Sequence, residues 1–303
     1  MFQFLVEKIW NSQRWSVLAL GMTISRIDLN DSTSIPQFGL GVWQVPQDET
    51  ERVVSEAFEL GYRHVDTAQM YGNEAGVGAA IKSSGLARDE IYVTTKLNNN
   101  RHEKQIAKDS LRESLDKLGL DKVDLFLIHW PLPTQYDGDF VSTWQTLAEL
   151  RDEGLTTSIG VSNFQPDHLD RIVAETGVVP AVNQIEAHPY FANDAARAAT
   201  AKHGAKVEAW SPLGQGGGEL SDPVVKEVAR RVGKSEAQVL LRWAIDRGDI
   251  VFPKSTHKER LAANLDIFDF ELTADDVSAI AALDKGEAGR QGPNPDTFDW
   301  IPD

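Results

Sequence analysis

From Phe38 onward, short apolar runs alternate with longer stretches whose apolar residues recur every three or four positions. The first pattern predicts buried strands and the second amphipathic helices. The opening unit sets the rhythm, with the glycine-rich run Phe38–Gly41 followed by DETERVVSEAFELG. In that stretch Val53, Val54, Ala57 and Phe58 share one helical stripe, and Gly61 stands where a C-cap glycine belongs. Asp48 with Glu51 three residues later has the form of a capping box. Strand His64–Asp66 and helix NEAGVGAAIKSSG come next, then strand Ile91–Lys96 and HEKQIAKDSLRESLDKLG, which aligns Leu111, Leu115 and Leu118. VDLFLI is apolar without alternation, as expected of a strand buried on both faces of a parallel sheet.

The series continues with helix Phe140–Glu153, strand TTSIGV, QPDHLDRIVAETG with Pro166 in its first turn, strand AVNQIE, a helix near Asp194–His203, and strand KVEAW. Paired helices around Pro223–Val232 and Ser235–Asp246 follow, then strand IVFP, helix Lys258–Asn264 and helix TADDVSAIAALD. The tail beyond Lys285, rich in Gly, Pro and Asp, reads as loop. Eight such strand–helix units predict an α/β fold, a closed single-domain (β/α)8 TIM barrel. No GxGxxG fingerprint follows the first strand, which disfavours a dinucleotide-binding doubly wound sheet. Ahead of the barrel, TISRIDLNDSTSIPQFG alternates like a β-hairpin turning at Asn30 and Asp31. The barrel domain is assigned to residues 22–303, and residues 1–21 are expected to be an extension outside it. With Glu7 and no convincing cleavage site, that extension does not read as a signal peptide.

Composition narrows the function. A formal charge of −16 argues against nucleic acid or anionic membrane as partner. The absence of cysteine excludes disulfides, thiolate catalysis and cysteine-ligated metals. No run approaches the roughly 18 apolar residues of a spanning helix. A cytoplasmic monomer acting on a small molecule is expected.

The candidate chemistry sits where a barrel places its active site, at the carboxyl ends of strands. Asp66, Lys96, His129, Ser162, Asn163, Gln184, Trp210, Ser211, Lys254 and Ser255 all occupy such positions. Singly, each has a bland reading. Asp66 could cap a helix, Tyr71 could pack in the core, Lys96 could snorkel, and His129 could be a satisfied core histidine. Together they form a proton-transfer set. An ammonium near a phenol lowers the phenol's pKa from about 10 toward working pH. An aspartate holds the lysine charged, and a histidine can position a carbonyl oxygen. Such a group suits protonation of an oxygen that is becoming an alkoxide. Lys96 as a Schiff-base nucleophile is an alternative, though it needs a neutral amine that Asp66 opposes.

DTAQMYGNE, TTKL, LIHWP, GVSNF, NQIEAHPY and FPKSTHKERLAANL resemble the signatures of the aldo-keto reductase family, in order and spacing. Within it, SIPQFGLGVWQVP, SPLGQGG and ERLAANLDIFDFELT are most similar to bacterial 2,5-diketo-D-gluconic acid reductases. The resemblance implies NADPH-dependent reduction of an aldehyde or ketone without a metal, with a keto-sugar acid or another small dicarbonyl as substrate. It implies Tyr71 as the general acid, Lys96 and Asp66 as its tuners, and His129 as the carbonyl orienter. Ser162, Asn163 and Gln184 would hold the nicotinamide carboxamide, with Trp210 stacked on the ring. Ser211, Leu213 and Gln215 would wrap the pyrophosphate. Lys254, Ser255 and Arg260 would take the 2′-phosphate, with His257 and Asn264 at the adenine. A non-catalytic NADP(H)-binding regulatory subunit on the same fold is the competing implication. One departure bears on substrate: Asn98, opening the run Asn98–Asn100, stands where the family usually has Trp. A small polar pocket wall is expected there, beside Trp43 and Trp130, with Phe298 or Trp300 of the tail available to close the site.

Overall fold

The computed structural model describes residues 24–302, so the expected extension at residues 1–21 lies outside the described residues. The hairpin forms with β1 (Arg26–Asp28) antiparallel to β2 (Ser34–Pro36), pairing Ile27 with Ile35. Its connection holds Asn30 and Asp31 as the pattern predicts, and Asp31 accepts the Thr33 N–H at 3.0 Å. Leu29 and Ile35 pack on Tyr92, Leu125, Val182 and Ile250. Because Tyr92, Val182 and Ile250 open their strands, the hairpin floors the barrel at the amino ends.

Eight parallel strands follow in sequence order. They are β3 (Leu40–Gly41), β4 (His64–Asp66), β5 (Tyr92–Leu97), β6 (Val123–Ile128), β7 (Thr156–Ser162), β8 (Val182–Glu186), β9 (Lys206–Trp210) and β10 (Ile250–Val251). Closure is made by a parallel bridge from Phe38 to Val251, with the Gly39 N–H donating to the Val251 oxygen at 2.8 Å. The glycine in β3 has a steric reason, since a Cβ on Gly41 would stand 2.5 Å from the Phe252 carbonyl oxygen.

Helices pack around this barrel with the faces their periodicity predicts. In α1 (Gln47–Leu60), Val53, Val54, Ala57 and Phe58 are buried, and Gly61 ends the helix at φ 105°. The expected Asp48 capping box does not form. The helix already begins at Gln47 after Pro46, which places Asp48 inside the first turn, where its charge favours the helix dipole. Pro166 opens its helix as expected. The tail beyond Lys285 contains one 3-10 turn, Gly286–Gly289, and is otherwise irregular. Among the described residues, no helix is long and apolar enough to cross a membrane.

Candidate active site

Three strand ends and one loop bring the proton-transfer set together. Asp66 ends β4, Lys96 stands near the end of β5, and His129 follows β6. Tyr71 closes the 3-10 turn Gln69–Tyr71, which Gly72 terminates at φ 68°. Lys96 is fully buried and its ammonium makes three contacts. It donates to Asp66 Oδ1 at 2.6 Å, to the Thr67 carbonyl at 3.0 Å and to the Tyr71 hydroxyl at 3.3 Å. The Tyr71 and His129 rings meet edge to face at 5.7 Å. Asp66 is thus an ion-pair partner and not a helix cap.

The electrostatics follow from burial and this pairing. Burial alone would push Lys96 down, but Asp66 and Tyr71 outweigh it and hold the ammonium above its ordinary pKa. A neutral amine for Schiff-base attack is therefore disfavoured. Burial raises Tyr71, Lys96 pulls it down, Asp66 pushes it up, and the net direction is upward. The expectation of a lowered phenol, drawn from Lys96 alone, omitted desolvation. His129 falls well below its usual value, through burial first and then Lys96, so its imidazole is neutral.

Several residues that sequence reasoning passed over hold this set in place. Thr67 donates its hydroxyl to Asn73 Oδ1 at 2.9 Å, and Asn73 in turn donates to the Val42 carbonyl at 2.8 Å. Gln69 bonds Ser114 at 3.0 Å and accepts the Asn98 N–H at 2.8 Å, which ties the Tyr71 turn to the next unit. Glu208 lies inside β9, fully buried. Its only signal in the sequence was an acid set between Val207 and Ala209 in a strand.

A cavity of about 810 Å³ opens over the set and is lined by Asp66, Tyr71 and His129. Ser162, Asn163, Gln184, Trp210, Ser211, Leu213, Gln215 and Lys254 also line it. Their contacts interlock. Trp210 Nε1 donates to Asn163 Oδ1 at 2.8 Å, Asn163 Nδ2 donates to the His129 carbonyl at 2.9 Å, and Ser162 donates to the Gln184 carbonyl at 2.9 Å. Asn163 and Ser211 adopt positive φ, 64° and 55°, which turns the chain sharply at the ends of β7 and β9.

Ser255, His257, Arg260 and Asn264 are not among the cavity's lining residues and lie further along the same segment. Ser255 accepts the His257 N–H at 3.1 Å on the way into the helix Lys258–Leu265. Lys258 is spent on Glu59 at 2.6 Å. Lys254 and Arg260 are exposed and, among the described residues, have no carboxylate paired to them.

Trp43, Trp130, Phe298 and Trp300 line the cavity, and Trp130 packs on Phe298 with ring centroids 4.3 Å apart. Asn98 does not line it. Its side chain folds back to accept the Asn99 N–H at 2.8 Å, so the expected polar wall at Asn98 is corrected. Aromatic residues of the tail stand at the cavity in its place. Asn99 and Asn100 hold that tail, donating to the Trp300 and Pro302 carbonyls at 2.9 and 3.3 Å.

The profile of the Aldo/keto reductase family matches residues 36–285. An aldo-keto reductase of Mycolicibacterium smegmatis is 50% identical over 275 residues, covering 91% of this chain and 98% of that protein. Methylglyoxal reductase DkgA of Escherichia coli is 45% identical over 273 residues, covering 90% of this chain and 97% of that protein. Among solved structures, a variant of Gox0644 in complex with NADPH superposes with a TM-score of 0.88 at 45% identity, over 92% of this chain and all of that one, 100%. With a closed eight-stranded barrel, polar groups gathered at its carboxyl end and relatives matching along nearly their whole length, this chain belongs to the aldo/keto reductase family.

Proposed function

We propose that this protein reduces the carbonyl group of a small aldehyde or ketone to the alcohol, using NADPH, as a monomer in the cytoplasm. The observation that carries the reading is the Lys96 ammonium bonded to both Asp66 and Tyr71, with the His129 ring against Tyr71 beneath an open cavity. NADPH supplies the hydride that reaches the carbonyl carbon. Everything else is done by the chain. The carbonyl π pair moves onto oxygen as the hydride arrives, and Tyr71 gives that oxygen its proton. The phenol is protonated at neutral pH, and the Lys96 ammonium beside it eases the loss of that proton to the forming alkoxide. Lys96 stabilises the phenolate that remains, and Asp66 keeps Lys96 charged. Neutral His129 donates an N–H to the carbonyl oxygen and orients it.

The residues fit the cofactor. Gln184 has its Nε2 committed to Asp66 Oδ2 and Glu208 Oε2, at 2.9 and 3.1 Å, which leaves its oxygen to accept from the carboxamide. Ser162 and Asn163 would complete that contact, with the Trp210 indole beside the ring. Ser211, Leu213 and Gln215 would follow the pyrophosphate. The exposed Lys254 and Arg260, with Ser255, would take the 2′-phosphate, while His257 and Asn264 would meet the adenine.

The substrate class we favour is a small dicarbonyl or keto-sugar acid, supported by similarity to methylglyoxal reductase DkgA. Oxidation of NADPH across keto-sugars, α-dicarbonyls and aromatic aldehydes tests this reading. Turnover should be fastest with α-dicarbonyls or keto-sugar acids. No turnover with any carbonyl compound would overturn the proposal.

A further inference from the structure

Glu208 has no part in the chemistry described above, yet it sits directly beneath it. It occupies the middle of β9, in register with Gln184 on one side and Ile250 on the other, and is wholly shielded from solvent. Among the described residues its Oε1 has no hydrogen-bond partner. A half-satisfied buried carboxyl group costs stability, and an apolar residue of similar size would avoid that cost. Stability is therefore a poor reason for an acid at this position.

The hydrogen bond its side chain makes to Gln184 suggests a better reason. Its Oε2 accepts from Gln184 Nε2 at 3.1 Å, and the same nitrogen donates to Asp66 Oδ2 at 2.9 Å. An amide nitrogen carries two hydrogens, and here each has its own carboxyl acceptor. Asp66 alone would leave the amide one free hydrogen and room to swing. With both acceptors present, the nitrogen is fixed toward the barrel interior and the amide oxygen is left for the cavity. We propose that Glu208 is a positioning residue for carbonyl reduction: its carboxyl group orients the Gln184 amide and, through it, the carboxamide of bound nicotinamide. This rests on the reading that Gln184 holds that carboxamide.

Charge adds a consequence. The titratable groups facing Glu208 are Asp66 on β4 and Lys96 and Tyr92 on β5; β8 and β10 present neutral Gln184 and Ile250 in register. Burial, and then Asp66, push Glu208 up to about 8, so at neutral pH it is protonated and Asp66 and Lys96 balance each other. On ionising, Glu208 places a second anion beside the Gln184 nitrogen. That anion adds a second negative charge facing Lys96, which weakens the ammonium's pull on the Tyr71 phenol and makes its proton harder to give up. Turnover should therefore decline as pH rises through about 8.

The test is the pH dependence of kcat, with the KM for NADPH, in wild type, Glu208→Gln and Glu208→Leu. Glutamine keeps an acceptor for Gln184 and cannot ionise. Its kcat at pH 7 should stay within about twofold of wild type, with the alkaline decline moved to higher pH. Leucine removes the acceptor, so its kcat should fall roughly fivefold to twentyfold and its KM for NADPH should rise, without a lower melting temperature. An unmoved alkaline decline in Glu208→Gln overturns the proposal. So does an equal loss of activity in both variants, or a Glu208→Leu variant indistinguishable from wild type. If Glu208→Leu does not fold, the Glu208→Gln profile decides alone. Gln184→Leu separates the underlying reading: undiminished NADPH affinity in that variant removes the carboxamide assignment, whatever Glu208 does.

Discussion

Asn99 donates its side-chain amide to the Trp300 carbonyl at 2.9 Å, across 201 positions of chain. The Tyr136 hydroxyl braces the same residue, donating to the Asn99 carbonyl at 2.7 Å, and Tyr136 stacks on His102. The loop after β5 therefore holds the tail whose aromatic residues face the cavity. A neutral hydrogen bond contributes about 0.5–1.5 kcal/mol. Asn99→Ala should raise the KM for carbonyl substrates by about twofold to tenfold. NADPH affinity, measured by titration, should hold. An unchanged KM would show that the tail stays in place without this bond.

Phe298 tests what the tail contributes once it is there. Its ring packs on Trp130 at 4.3 Å, and such pairs are worth about 0.5–1.5 kcal/mol beyond area burial. Phe298→Ala should weaken aromatic aldehydes more than small polar carbonyls, by roughly threefold to tenfold in kcat/KM. An equal loss for both substrate types would argue that the ring does not touch substrate.

Tyr71→Phe removes the proposed acid and little else. General acid catalysis typically supplies about 10²–10⁴-fold, so kcat should drop by that order with NADPH affinity nearly unchanged. Retained turnover would eliminate the mechanism.

The basic segment after β10 makes a prediction about cofactor choice. Arg260 is exposed and unpaired among the described residues, whereas Lys258 already holds Glu59. Arg260→Ala should weaken NADPH by about tenfold to a hundredfold and spare NADH, since charge-assisted bonds are worth about 1.5–3 kcal/mol. Lys258→Ala should change either affinity little. Equal wild-type efficiency with NADH and NADPH would remove the phosphate-site assignment.

His188 predicts a pH-dependent stability. It is buried between Glu186 and Glu219, at 3.1 and 2.8 Å, and Glu186 also accepts the Gln291 and Gly292 N–H groups of the tail. Burial pushes His188 down, but the two glutamates outweigh it and raise it above 6.5. Folding therefore favours the protonated ring. Its contribution is complete below pH 6.5 and is lost as pH rises through the folded value. Replacing one member of a buried ion cluster costs about 3–5 kcal/mol. His188→Gln should melt well below wild type at pH 6, and the gap should narrow on the alkaline side. A gap independent of pH would mean that His188 is not charged in the fold.

What the sequence determined by itself is local in origin. Apolar spacing is set by the helix and strand repeats, so Val53 through Phe58 announced a buried helical face, and VDLFLI announced a strand buried on both sides. The barrel rule then located Asp66, Lys96 and His129 at one mouth, since strands of one parallel barrel must all end on the same side. The family signatures added roles that periodicity cannot supply.

Tertiary structure decided what depends on desolvation and on contacts between distant segments. From sequence, Lys96 beside Tyr71 argued for a lowered phenol; burial reverses the sign, and burial is a property of the closed barrel. Asn98 was legible as a departure, yet whether its side chain met the cavity or its own loop depended on backbone geometry no spacing encodes. The same holds for the tail, which is held at the cavity by partners some 201 residues away. Glu208 shows the division most clearly. Its acid was visible in KVEAW, but only the folded barrel buries it, sets it against Asp66 across one amide nitrogen, and so keeps it protonated.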